Sequence, residues 1–173
     1  MDGTTAGATT SAPSASAEVS TPSLTPIETG ELQQDVAALS GACSIISSTI
    51  AMETPDPQVL TEDNRPEFAA LAQQLDDLLQ ESAAIVDTYA DLAGSREARR
   101  FFREFAAASR DAGDRWRVAA EAALDDATSL ESVRSLNMIA EGAAGATWTE
   151  PLSLKPSRFR DVYEATPECP PLL

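Results

Sequence analysis

Apolar side chains recur along this chain at helical rather than strand spacing, and four long segments carry the pattern. The clearest is Ser95 to Asp126: counted at about 100° per residue, Ala98, Phe101, Phe102, Ala108, Ala112, Trp116, Ala119 and Ala123 all fall within about 60° of Phe105. This is one apolar stripe along about eight turns. Opposite it runs a second stripe, Arg96, Arg99, Arg100, Arg103, Arg110 and Arg117, broken by acids such as Asp114 and Glu121. With Arg115, the segment holds seven of the chain's twelve basic residues.

Upstream, Glu31 to Met52 places Leu32, Val36, Leu39, Cys43, Ile46 and Ile50 at alternating steps of four and three, the narrow seam of a bundle helix with Cys43 on it. Pro55 and Pro57 make Glu53 to Arg65 a loop. A second helix starts near Pro66, since a first-turn proline followed by Glu67 suits a helix N-terminus. It runs to about Ala93, with Phe68, Leu71, Leu75, Leu78, Ser82, Val86, Tyr89 and Leu92 on one side, and Gly94 ends it. The short connection makes it an antiparallel neighbour of the Arg-rich helix. Its acids, Asp76, Asp77, Glu81, Asp87 and Asp91, predict salt bridges along the shared border, worth about 0 to 1 kcal/mol each when exposed.

Thr128 and Glu131 have capping-box spacing and open a fourth helix through Leu130, Val133, Leu136 and Ile139. The run EGAAGA ends it near Gly145. Beyond Thr147 five prolines mark a wrapping arm, within which Pro156 to Ala165 forms a short helix turning Phe159, Val162 and Tyr163 inward. The expected fold is all-α: an antiparallel four-helix bundle over residues 29–150, preceded by a tether (1–28) and followed by the C-terminal arm (151–173).

Composition narrows the chemistry. A formal charge of −16 argues against a nucleic-acid partner, which needs a basic face. The chain contains no histidine, which removes the commonest general base, the commonest transition-metal ligand and every Ser-His or Cys-His pair. Two cysteines, Cys43 and Cys169, are too few for a zinc site without histidine or for an iron-sulfur cluster. Two reduced core thiols are the cytosolic reading. A disulfide is preferred, because Cys169 lies among Pro167, Pro170 and Pro171 in an arm with few other means of attachment. No apolar run approaches the length of a membrane span.

Residues 1–28, MDGTTAGATTSAPSASAEVSTPSLTPIE, carry no basic residue and no apolar period, and cannot offset the entropy of ordering. Such a Ser/Thr/Ala/Pro tether, ahead of a compact Ala-rich domain, resembles the mature part of a secreted lipoprotein of a high-GC Gram-positive (actinobacterial) type. In that class a lipid-modified cysteine stands where Met1 stands here, and this chain has no lipobox. The resemblance implies an N-terminal lipid anchor missing from this chain, and a place at the outer face of the cytoplasmic membrane or in the cell envelope.

The arginine stripe is the sharpest candidate contact surface: Arg96, Arg99, Arg100, Arg103, Arg110 and Arg117 suit an acidic face on a membrane or envelope protein, an anionic lipid or a wall polymer. Pairing along the helix and to helix two is the alternative. Glu121 and Asp125 have the spacing to share an ion, Asp76 and Asp77 face apart, and solvated charge is the expected role of both clusters, so no metal site is assigned. Ser153 and Lys155 form a poor nucleophile dyad, the lysine lying beside a proline in a polar arm. Phe101, Phe102, Phe105 and Trp116 either fill the core or line an apolar pocket for an acyl chain or, less favoured, haem, whose axial ligand would be Tyr89, Tyr163, Met52 or Met138. The expectation is a non-enzymatic, cofactor-free accessory or scaffold domain, with a small-ligand or lipid carrier as the alternative.

Overall fold

The computed structural model describes residues 24–172, the side chains of 143–146 excepted, and every regular element among them is helical. The helices are α1 (Pro26–Ile50), α2 (Arg65–Leu92), α3 (Arg96–Leu124), α4 (Leu130–Thr147), α5 (Thr149–Leu152) and α6 (Arg158–Glu164), with one 3-10 turn at Pro57–Val59. Most of the expected tether lies outside the described residues. Its last three residues belong to α1, which starts at Pro26 rather than Glu31. Thr25 and Glu28 form a capping box, the Glu28 carboxylate accepting from the Thr25 N–H at 2.9 Å, with Pro26 at the first helical position.

The second and third helices form the antiparallel hairpin that the short connection predicts. Contacts Arg103–Asp91, Arg110–Asp87 and Arg117–Asp76 step along α2 and α3 in opposite senses. Small residues bring the backbones together: Ala69, Ala72, Ala83 and Ala90 of α2 are buried, as are Ala106, Ala112, Ala119 and Ala120 of α3. A Cβ at Gly113 would stand 2.8 Å from Asp76 Oδ1 and 3.3 Å from the Asp76 carbonyl. Arg65 ties the far end of the hairpin. Its guanidinium donates to the carbonyls of Ala122, Ala123, Asp125 and Thr128 at 2.9–3.2 Å and to Glu62, supplying the donors that the C-terminus of α3 lacks in its own last turn.

Helix α1 packs on α2 and α6, α4 on α3, and α5 on α3 and α4. Its buried face is rotated from the expected seam: Asp35 is buried, and Val36 is 44 % exposed. Asp35 Oδ1 accepts from the N–H groups of Gly94 (2.9 Å) and Ser95 (3.0 Å), two donors left open where α2 ends and α3 begins. A Cβ on Gly94 would overlap the Glu31 backbone, so glycine is required there for close approach.

Two inward faces also differ from expectation. Leu71, Leu78 and Leu92 of α2 are exposed, because that helix turns its alanine side to α3. Among the described side chains of α4, Val133, Asn137 and Ala140 are buried, while Ile139 is exposed. The cap of α4 is Ser129, which accepts from the Ser132 N–H at 3.2 Å; Thr128 instead donates to Asp125. The helix runs two residues past Gly145, and the short α5 follows Trp148.

The C-terminal arm is part of the core. Phe159 and Tyr163 of α6 each place a ring 5.4 Å from Phe101, Trp148 stacks on Phe105 at 4.8 Å, and Phe102 meets Phe101 edge-on. Cys43 and Cys169 form the expected disulfide, with Cα atoms 4.5 Å apart, and Ser47 donates to the Glu168 carbonyl beside it. Such a bond suits an oxidising, non-cytoplasmic compartment. No described helix is long and apolar enough to cross a membrane.

Candidate binding cleft and the arginine face

The arginine stripe is engaged with the protein's own acids. Arg100 pairs with Glu104 (2.7 Å), Arg103 with Asp91 (3.6 Å), Arg110 with Asp87 (2.9 Å), and Arg117 with Asp114 (2.8 Å) and Glu121 (3.3 Å). Hydrogen bonds donated to the Glu104 and Asp114 carboxylates raise the pKa of Arg100 and Arg117, respectively, above the ordinary value. Arg99 donates to the Gly94 carbonyl at 2.8 Å. Only Arg96 of the six has no ion pair or side-chain hydrogen bond among the described residues. Helix spacing put these cations on one face, and the acids of α2 and α3 compensate them.

The other candidates separate. Asp76 is buried against α3 and accepts from Gln80, while the neighbouring Asp77 accepts from Gln73. Glu121 serves Arg117, whereas Asp125 accepts from Ala127 N–H and the Thr128 hydroxyl, the latter being the larger cause of its lowered pKa. Among the described residues, no three His, Cys, Asp or Glu side chains converge on a metal-sized point. Ser153 donates to the Thr149 carbonyl, and Lys155 is exposed, so no dyad forms. Phe101, Phe102, Phe105 and Trp116 are packed as core, each at most 2 % exposed. Burial raises the pKa of Tyr163, whose hydroxyl has no partner.

One open space, of about 340 Å³, lies between α3 and the arm at Glu97, Arg100, Glu104, Glu150 and Lys155; four others border the segment from Met52 to Leu60. Pro55 and Pro57 prevent it from continuing α1, and it passes beside the exposed Leu71 and Leu78 of α2. A cleft of about 370 Å³ lies there, its walls Met52, Pro55, Leu71, Leu75 and Leu78, with Glu53 at its edge. Met52, Thr54 and Leu75 also line a second space of about 190 Å³, whose other walls include Trp116 and Trp148. Thr54 and Glu141 line both that space and another of about 540 Å³, whose remaining walls include Asp56, Gln58, Arg134 and Met138. A further space of about 160 Å³ runs along the segment's other side, beside Glu67 and Phe68.

Two α4 side chains hold the segment. Asn137 donates to the Pro55 carbonyl at 3.1 Å, and Arg134 donates to the Leu60 carbonyl. Each is only partly satisfied: Asn137 Oδ1 and Arg134 Nε are buried without a protein partner. Sequence reasoning took this region as a plain loop and passed over both residues. The available signal was an arginine and an asparagine three apart on a helix face that otherwise reads as apolar.

The chain matches no protein-family model, no curated protein and no solved structure.

Proposed function

We propose that this is a non-enzymatic, extracytoplasmic binding domain that receives the apolar part of a small ligand in the cleft beside residues 52–60. The tether and the inferred lipid anchor would keep it at the outer face of the cytoplasmic membrane or in the envelope. We take its four long helices as an antiparallel bundle whose opening lies where the proline segment stands in for a helix. The observation carrying this reading is that the apolar cleft, of about 370 Å³, shares Met52, Thr54 and Leu75 as walls with a second space lined by Trp116 and Trp148, the cleft alone being in the size range of small-ligand sites.

Those are the chain's only tryptophans, so its fluorescence reports on the site. Titration with a terminally brominated dodecanol, a contact quencher, is expected to give saturable quenching. Thr54→Phe, which places a ring where three of the spaces meet, is expected to abolish it. Quenching that is absent, unsaturable or unchanged in the variant overturns the reading.

A second reading, an accessory domain docking an envelope protein, anionic lipid or wall polymer through Arg96, Arg99, Arg100, Arg103, Arg110 and Arg117, draws support from one observation. Arg100 and Arg103 keep 72 % and 62 % of their side chains exposed despite their pairs. It requires salt-sensitive sedimentation with phosphatidylglycerol vesicles, or an anionic polymer, that is lost on reversing Arg99, Arg103 and Arg110 to glutamate.

A further inference from the structure

Helix α2 presents a row of aliphatic side chains to solvent. Leu71, Leu78, Ile85 and Leu92 follow one another at intervals of seven residues and are 37–62 % exposed, whereas the residue after each of the first three, Ala72, Leu79 and Val86, is buried. Single exposed leucines are ordinary on a protein surface. A strict seven-residue repeat is different, because on a helix it draws a seam, drifting by about 20° per heptad, that a second helix follows by supercoiling. The row is about 32 Å long. Leu71 and Leu78 also wall the apolar cleft, but Ile85 and Leu92 line none of the spaces described above, so the row runs on for about four turns beyond it.

A second row lies beside the first. Glu67, Gln74, Glu81 and Thr88, each four residues before a member of the aliphatic row, are all exposed, and neither glutamate forms an ion pair among the described residues. Charge then decides what can cover the pair of rows. Arg65 is the only basic residue among residues 1–92, against fifteen acidic ones, and its guanidinium is engaged with the end of α3. Residues 1–23 contain no basic residue and cannot match this face. A second copy aligned antiparallel, Leu71 against Leu92 and Leu78 against Ile85, would bring Glu81 of each copy beside the twofold axis and join two surfaces of one sign. A basic helix with its own aliphatic seam meets both rows with complementary chemistry.

We propose that the exposed face of α2 is a docking surface for an amphipathic, lysine- or arginine-flanked helix of another protein, its apolar seam on Leu71, Leu78, Ile85 and Leu92 and its cations over Glu67 and Glu81. This goes beyond the small-ligand reading and does not depend on it, since half of the row lies outside the cleft.

The probe is a fluorescein-labelled 22-residue helical peptide with leucine at the a position and lysine at the d, e and g positions of each heptad, alanine elsewhere, compared with its glutamate-for-lysine counterpart by fluorescence anisotropy at about 0.15 M salt. The lysine peptide is expected to bind saturably, and the glutamate peptide at least about tenfold more weakly. Ile85→Ser/Leu92→Ser, which changes no charge and touches no wall of the cleft, is expected to weaken the lysine peptide at least about tenfold with helicity by circular dichroism retained. Val118→Ser/Leu124→Ser, the same loss at exposed aliphatic residues of α3, is expected to leave binding unaltered. Absence of binding, equal binding of the two peptides, or equal effects of the two double variants overturns the proposal. So does a dimer of the protein alone in sedimentation equilibrium that Ile85→Ser/Leu92→Ser dissolves, which would give the face to a second copy.

Discussion

Tyr163 brings a hydroxyl into the aromatic interior and finds nothing there to bond. Removing it should cost little at neutral pH, because an unsatisfied buried polar group is itself destabilising by about 1 to 3 kcal/mol. Burial raises its folded pKa above the ordinary 10.0. The neutral phenol is thus favoured in the fold, and this contribution is intact below the unfolded value and lost as pH rises from about 10 toward the folded pKa. Tyr163→Phe is expected to match or exceed the wild type in stability at pH 7 and to lose less above about pH 10, measured by denaturant unfolding at each pH. A variant as alkali-sensitive as the wild type would remove Tyr163 from that role. Arg65 is the opposite case, a buried cation with five hydrogen-bond partners. Its replacement by alanine should cost about 2 to 4 kcal/mol, and lysine should recover only part, since a point charge cannot span the same carbonyls. Neither role was legible beforehand. Tyr163 was expected to face inward, but whether its hydroxyl met a partner depends on neighbours far apart in the chain, and Arg65 sat at the edge of a loop with no sign of the helix end it would clasp.

At the scale of elements, α3 was the most legible because one helix carries both the largest core side chains and the charge, and its two faces fall on opposite sides of any helical wheel. Phe105→Ala should cost about 3 to 5 kcal/mol through lost transfer energy and a cavity, whereas Arg103→Ala, losing an exposed pair to Asp91, should cost under about 1 kcal/mol. Equal shifts in thermal midpoint would refute this assignment of faces. Helices α1, α2 and α4 were located well and their inward faces were right in part: Leu39, Cys43, Ile46, Phe68, Leu75, Val86 and Val133 are buried as expected, whereas Val36, Leu71, Leu78, Leu92 and Ile139 are exposed, and the reasons are local. In α1, Asp35 competes with Val36 for the interior because the turn at Gly94 offers it two backbone donors. In α2, alanines take the interior from leucines because small residues allow α3 to approach closely. Hydrophobicity alone ranks these choices the other way. Gly94→Ala tests the closeness directly: the added methyl meets the Glu31 backbone, and α1 must shift at a cost of about 1 to 3 kcal/mol in unfolding free energy. Stability equal to the wild type would mean that α1 rests on the turn more loosely than described.

For the whole molecule, the C-terminal arm decides whether the domain holds together as one core or as a hairpin with attachments. Its proline content and single cysteine made it legible as a strap, but its contribution of Phe159 and Tyr163 to the ring cluster, beside Trp148 just before it, was only partly visible, because the partner rings lie on α3, more than forty residues away. The cleft was not legible at all, since it depends on where α1 stops covering α2. Two forces attach the arm, aromatic burial and the disulfide, and they act on different states. Rings stabilise the folded chain, while the bond chiefly restricts the unfolded one: closing a loop across a separation of 126 residues is worth about 4 to 5 kcal/mol in the chain-entropy model. The double variant Cys43→Ser/Cys169→Ser is therefore expected to keep its helicity and its tryptophan environment while losing up to about 4 kcal/mol of unfolding free energy. Its denaturant dependence should steepen, because the released chain exposes more surface. Adding Phe159→Ala to that variant should loosen the arm itself, seen as faster amide exchange in α6, which neither change is expected to produce alone. If the serine variant alone released α6, the bond would be holding the arm in place in the folded state, and the aromatic contacts would be its consequence.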